Sequence, residues 1–262
     1  MNLVDTHSHI YLEDFDDDRQ IMLERAEKEG INRILMPAID STTHEKMMNV
    51  SNHFAPLCQP MIGLHPCSVK ENYMDELKLV KDHLEKKRFA AIGEIGLDFY
   101  WDVSYKAQQY DAFHRQIEWA LPYDLPIVIH SRNSIDECIA VVSEHQKARL
   151  PDGQGNLKVV FHCFSGTMDQ AKKIIALDFY LGIGGVLTFK NSGLDKIMEQ
   201  LTLKNIVLET DAPYLAPVPF RGKRNECGYL KYVVQKLADI KEIEKEKIAE
   251  ITTANAEKLF GL

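Results

Sequence analysis

No run in this sequence approaches the ~18 consecutive apolar residues of a membrane-spanning helix. The opening MNLVDTHSHIYLEDFDDD also lacks the basic start and long apolar core of a signal peptide. Neither membrane insertion nor export is expected, and the cytoplasm is the predicted location. Positive charge is in short supply: 31 Lys and Arg against 39 Asp and Glu leave a net charge of -8 and a pI near 5.7. That argues against a protein that coats duplex nucleic acid electrostatically. It leaves room for a nuclease, because bound divalent cations add positive charge that no residue count includes. The cysteines, Cys58, Cys67, Cys138, Cys163 and Cys227, are odd in number and none form a C-x-x-C pair, so a disulfide framework is not expected and a reducing compartment is. Low-complexity segments, Pro/Gly-rich linkers and internal repeats are missing. So are a serine nucleophile elbow and a Gly-rich turn after the first strand. The GIGG at 182–185 is too short and wrongly spaced for a nucleotide fingerprint, and reads as close packing at a strand end.

What is present is an alternation. Short apolar runs at 2–6, 32–39, 58–65, 89–97, 126–131, 158–164, 179–185 and 205–211 predict eight strands. Amphipathic stretches near 16–29, 43–53, 74–87, 104–123, 134–148, 167–177 and 193–201 separate them, and a further pair follows near 224–240 and 244–260. In 134–148 the apolar Ile135, Ile139 and Val142 share one helical face, and Ser134 with Glu137 has capping-box spacing. The nearly continuous NRILMPAI suits a strand buried on both faces. Alternating strand and helix implies parallel strands with right-handed crossovers. Eight repeats predict an α/β fold, a (β/α)8 TIM barrel with an additional C-terminal helix. The rival is an open doubly wound sheet. Barrels of ~250 residues are commonly one domain, so residues 1–262 are expected to form a single unit.

The polar residues reinforce the barrel. His7, His9, His65, His130, His162 and Asp211 come at the C-terminal ends of their runs, and Glu94 lies just inside its own. In a barrel those ends share the face that carries active sites. His44, His53, His83, His114 and His145 fall in polar, helix-like stretches and are expected on solvated faces.

An imidazole at the end of an apolar strand is costly to desolvate unless something binds it. His7 and His9 form an H-x-H pair whose period of two puts both rings on one face, with Asp5 one step back as an orienting carboxylate. Glu94 has two oxygens and can bridge two cations; Asp98 is the weaker candidate nearby. His130 and His162 end the fifth and sixth strands. Asp211 can ligate and also accept a proton from an attacking water, with Glu209 as its local competitor. His65 reads as a substrate contact or a ligand-orienting residue. Cys163, next to His162, should point to the opposite face. Six ligands exceed the three of a single open catalytic ion; two ions bridged by Glu94 fit better. Such a pair suits in-line displacement at phosphorus, and Zn²⁺, Mn²⁺ or Mg²⁺ are the candidates. Arg221, Lys223 and Arg224 of RGKRN, with Arg132, are candidate phosphate contacts.

The motifs DTHSH, GLHP, GEIGLDFYW, VIHSR, FHCFSG, ETDAPYL, RGKRNE and TTANAEKLFGL make the chain resemble the TatD family of metal-dependent deoxyribonucleases, within the amidohydrolase superfamily. The resemblance runs nearly end to end. It implies a TIM-barrel phosphodiesterase acting on DNA, often 3′→5′ on single strands, with His7, His9, Glu94, His130, His162 and Asp211 as metal ligands. It implies no membrane and no obligate protein partner. Cys67 stands where the family usually has a second histidine, and Cys227 where it has a proline. Two other readings remain: an amidohydrolase acting on a small ester, lactone or amide, and a non-enzymatic binding module. Many amidohydrolases bridge their metals through a carboxylated lysine; Glu94 in that position favours the nuclease.

Overall fold

The computed structural model describes residues 1–149 and 157–262. Eight strands follow one another in the predicted order: β1 Leu3–Asp5, β2 Ile31–Pro37, β3 Cys58–Met61, β4 Ile92–Asp98, β5 Ile127–Arg132, β6 Val159–Phe161, β7 Tyr180–Ile183 and β8 Ile206–Leu208. The helices are α1 Arg19–Lys28, α2 Ser41–His53, α3 Tyr73–Lys86, α4 Lys106–Ala120, α5 Ile135–Arg149, α6 Met168–Ala176, α7 Leu194–Gln200, α8 Leu230–Lys241 and α9 Lys245–Phe260. All strand pairs are parallel. Regular ladders join β1-β2-β3 and β4-β5-β6-β7-β8. A single bridge, Ile62 to Ile92, spans the first seam. At the second, Thr6 N–H donates to Leu208 O at 3.0 Å and Asp211 N–H to His7 O at 2.9 Å. The result is a (β/α)8 barrel with α9 as the extra C-terminal helix.

The strands are shorter than the apolar runs because the runs register burial, whereas ladders need regular backbone. At the mouth the chain leaves the ladder: Cys163 and Asp211 take left-handed φ of 47° and 57°, a conformation uncommon outside glycine. The segment expected as a helix from 224 begins its α-helix only at Leu230, after a 3-10 turn over Cys227–Tyr229. Asn225 holds the lead-in: its side-chain amide donates to the carbonyls of Thr210 at 2.7 Å and Tyr214 at 2.8 Å. Ser134 donates its hydroxyl to Leu97 O at 2.6 Å, tying the start of α5 to the end of β4.

Two apolar layers make the core. Between sheet and helices lies a large cluster that includes Phe15, Phe113, Phe161 and Phe179. Inside the barrel Val4, Leu35, Met61, Ala91, Val128, Val160, Tyr180 and Val207 pack together, and Ala256, Leu259 and Phe260 of α9 close the bottom. The buried Leu259 and Phe260 side chains each contribute about 1.5–3 kcal/mol by area removed from water. Side chains alternate along a strand. Two steps above Val128, Val160 and Val207 the same inward face therefore presents His130, His162 and Glu209. The GIGG segment brings backbone against this layer: a Cβ at Gly182 would collide with the Glu209 carboxylate, and one at Gly185 with Leu215 O.

His44 departs from the solvated-face expectation. It is buried on α2, its Nε2 lacks a hydrogen-bond partner among the described residues, and its ring meets His83 edge-on at 5.1 Å. Burial, with the His83 charge, lowers its pKa to about 4 against the pull of Glu76 and Asp40. An unfolded histidine titrates near ~6.5, so the unfolded chain takes the proton first. The contribution to stability is complete above that pH and is lost as pH falls towards about 4. His44→Leu is expected to gain roughly 2 kcal/mol at about pH 5 relative to its effect at about pH 8. Urea midpoints at the two pH values check it, and equal shifts at both would refute the assignment.

Candidate metal centre

The mouth of the barrel gathers the strand-end residues around one carboxylate. Glu94 lies in β4 where the register with β5 shifts between Ile92 and Ile95, an irregularity of the kind that re-aims a side chain. Its two oxygens face different partners. Oε2 lies 3.2 Å from His7 Nε2 and 3.6 Å from His9 Nε2. Oε1 lies 2.8 Å from His130 Nδ1, 2.8 Å from His162 Nε2 and 3.3 Å from His65 Nε2. Asp211 Oδ1 is 3.7 Å from both His7 Nε2 and His9 Nε2. Three groups have ligand atoms within 4.8 Å of one another: His7, His9 and Asp211; His7, Glu94 and His162; His65, Glu94 and His130. The six residues expected as ligands therefore converge, in two halves that share Glu94.

Backbone hydrogen bonds hold the His7/His9 half in register with its neighbours. His9 N–H donates to Ala212 O at 2.7 Å, and Ser8 N–H to Leu35 O at 3.0 Å. Asp5 is fully buried and does not orient an imidazole as expected. It accepts from Thr210 N–H at 2.9 Å and from the Thr210 hydroxyl at 2.6 Å, which pins β1 to the loop that carries Asp211. Beside this pin, buried Cys227 places Sγ 3.4 Å from Ser8 Oγ.

The electrostatics are those of a cation cage. Burial, reinforced by the His162 charge, lowers the His7 pKa to about 4, and burial with His7 lowers His9 to about 3. Burial opposes the Glu94 charge, yet His162, His65 and His7 hold its carboxyl well below the usual range. Glu94 in turn raises His162 well above an ordinary imidazole despite burial. Burial lifts Asp211 well above the carboxylate range, with Glu94, Glu209 and Asp5 adding to the rise. Among the described residues, neither ring nitrogen of His7 nor Nδ1 of His162 has a hydrogen-bond partner. A buried polar atom left so costs about 1–3 kcal/mol. His7 and His9, held neutral with lone pairs to offer, beside an ionised Glu94 fit a divalent cation.

One residue that orients this cage, Tyr11, was invisible in the sequence, and it acts beside Asp98, Glu209 and His65, which the sequence did single out. The Tyr11 hydroxyl donates to Pro37 O at 2.7 Å, so it accepts from His9 Nδ1 at 3.0 Å. That places the ring proton on Nδ1 and leaves the Nε2 lone pair to the cage. Asp98 contacts His130 Nε2 at 2.8 Å with one oxygen. Glu209 sits behind His162, 3.5 Å from Nδ1, and accepts from Cys163 N–H at 2.5 Å. Asp211, not Glu209, thus reaches the His7/His9 half. His65 Nδ1 accepts from Cys67 N–H at 3.0 Å, which leaves the proton on Nε2 facing Glu94 and makes His65 a donor.

A cavity of about 700 Å³ opens over the cage, lined by Arg132, His65, Cys67, Trp101, Cys163 and Tyr214 among others. The RGKRN cations do not join this lining. Arg224 is held by Asp18 at 2.6 and 2.8 Å and lies over the Phe15 ring. Arg221 stacks on Phe189, and Lys223 is exposed. The turn packs back on Asp18, just before α1, through Arg224 and on Phe189, after β7, through Arg221.

Residues 4–261 match the family model described as TatD related DNase. An uncharacterized metal-dependent hydrolase of Bacillus subtilis is 36% identical over 99% of both chains. The 3′-5′ ssDNA/RNA exonuclease TatD of Erwinia billingiae is 31% identical over 95% of both. The crystal structure of the TatD homologue YjjV from Escherichia coli superposes with a TM-score of 0.90 at 28% identity, covering 99% of this chain and 98% of that one. These matches settle the family: the chain belongs to the TatD-related DNases and is a metal-dependent hydrolase.

Proposed function

We propose that residues 1–262 act as one two-metal DNA phosphodiesterase that removes nucleotides 3′→5′ from single strands. The observation that carries it is the division of Glu94, one oxygen towards His7 and His9 and the other towards His130 and His162. His7, His9 and Asp211 would hold one cation, His130 and His162 the other, with Glu94 shared. Imidazole and carboxylate donors favour Zn²⁺ or Mn²⁺ over Mg²⁺. Bound there, the cations supply a water of lowered pKa and neutralise charge on both oxygens of an in-line displacement.

The chain's own residues do the rest. The Asp211 side chain, 13% exposed against 3% for Glu94, lines the cavity where the attacking water would stand. It takes that water's proton. His65, protonated on Nε2, and Arg132 hold phosphate oxygens. Single-stranded nucleic acid as the substrate is supported by the activity named for the Erwinia relative. A cytoplasmic location belongs to the proposal and is supported by five free cysteines, three of them buried. No helix among the described residues is long and apolar enough to cross a membrane.

The test is 3′- and 5′-end-labelled single-stranded DNA with the Mn²⁺-loaded protein, metal content measured in parallel. The expected result is shortening from the 3′ end with about two equivalents of metal. Intact DNA alongside turnover of small esters or lactones would overturn it.

A further inference from the structure

Where β4 leaves the barrel, two large rings stand in solvent. Tyr100 is 53% and Trp101 67% exposed. Their centroids are 4.9 Å apart at 86°. The Arg132 guanidinium lies 3.9 Å from the Tyr100 centroid and 5.1 Å from that of Trp101. This cluster is fixed to the metal centre by Asp98. Its Oδ1 accepts from the N–H groups of Tyr100 at 2.9 Å and Trp101 at 3.1 Å, while Oδ2 meets His130 Nε2 at 2.8 Å. Trp101 and Arg132 line the same cavity as Glu94 and His130. On the opposite wall, after β8, Tyr214 is 51% exposed with its ring 6.1 Å from that of His9.

We infer that Trp101, with Tyr100 and Arg132, is a stacking platform for one unpaired nucleobase beside the phosphate to be cleaved. This rests on the nuclease reading and adds what selects the single strand. A net charge of -8 gives little general attraction for a polyanion. Arg224 and Arg221 are engaged elsewhere, and Arg132 is the one Arg or Lys among the described residues lining the cavity. Away from the cations of the site, binding must then draw on something other than phosphate charge. Aromatic faces supply it without regard to sequence, since every base has a π-face. A paired base keeps its faces stacked within the duplex, so the platform accepts only unpaired ones. Asp98, bonded to the backbone of Tyr100 and Trp101 and to His130, fixes the platform relative to the cage.

The test uses a Trp119→Phe background, which leaves Trp101 as the only tryptophan of the two. In metal-stripped protein, a single-stranded oligonucleotide is expected to quench Trp101 emission and a blunt duplex is not. With Mn²⁺ restored, Trp101→Ala should raise KM about 10-fold or more with kcat within about threefold, and Trp101→Phe should stay within about threefold of the parent. A terminal nucleotide lacking its base should lose a similar factor with the parent and nothing further with Trp101→Ala. An unchanged KM in Trp101→Ala, or equal preference of the parent for base-bearing and abasic ends, would overturn the platform. Failure of the parent to cleave either end would remove the nuclease reading instead, and the quench titration on metal-free protein would then decide the platform alone.

Discussion

Asp211→Asn is expected to lower kcat on single-stranded DNA by about 10³-fold, within the range of about 10²–10⁴ for loss of a positioned general base. The amide keeps the shape of the side chain, and the backbone bond from Asp211 N–H to His7 O at 2.9 Å is untouched. What it removes is a group able to take a proton at the cavity. The neighbouring carboxylate cannot substitute, because Glu209 is directed to His162 Nδ1 and Cys163 N–H. Glu209→Gln should therefore cost no more than about 10–100-fold, the usual effect of disturbing a residue that orients a ligand. Steady-state kinetics with metal content measured on the same samples separates the roles. If Asp211→Asn retained activity within about tenfold of the parent, or if Glu209→Gln were the more damaging, the assignment of the base would be wrong.

What the sequence disclosed and what it hid divide along a physical line. His130 and His162 were legible because period-two alternation within one strand carries Val128 to His130 and Val160 to His162 on the same inward face. The barrel was legible because eight apolar runs alternate with amphipathic ones. Loop direction was not. Arg224 finds Asp18, distant by 206 positions, and no local pattern announces that pairing. Tyr11 reads as an apolar residue near a strand end, and only the fold shows its hydroxyl fixing the His9 tautomer. His44 sits in a polar stretch, yet α3 packs over it and brings His83 against its ring. Trp101 lies in the same GEIGLDFYW segment as Glu94, but its exposure beside the cavity comes from the turn that Asp98 imposes.

Glu94→Gln is the harsher test, because Glu94 joins both halves. The amide keeps one carbonyl oxygen as an acceptor and loses the charge that both halves share. Metal content should fall from about two equivalents to one or fewer, and kcat/KM by at least about 10³-fold, since removing either of two cooperating ions removes the paired stabilisation of attacking and leaving oxygens. The metal-free protein offers an independent readout. Burial lowers both imidazoles; against it Glu94 with Glu209 lifts His162, and Asp98 with Glu94 lifts His130. With the charge gone, proton-detected titration of both imidazoles should move to lower pH, while Asp98 still holds His130 Nε2 at 2.8 Å and Glu209 still stands 3.5 Å from His162 Nδ1. The double variant with Asp211→Asn should be no more than about tenfold worse than Glu94→Gln alone, because groups that act as one unit are not additive. Full additivity of the two losses would mean that Glu94 and Asp211 serve separate steps, and the shared two-metal centre would have to be abandoned.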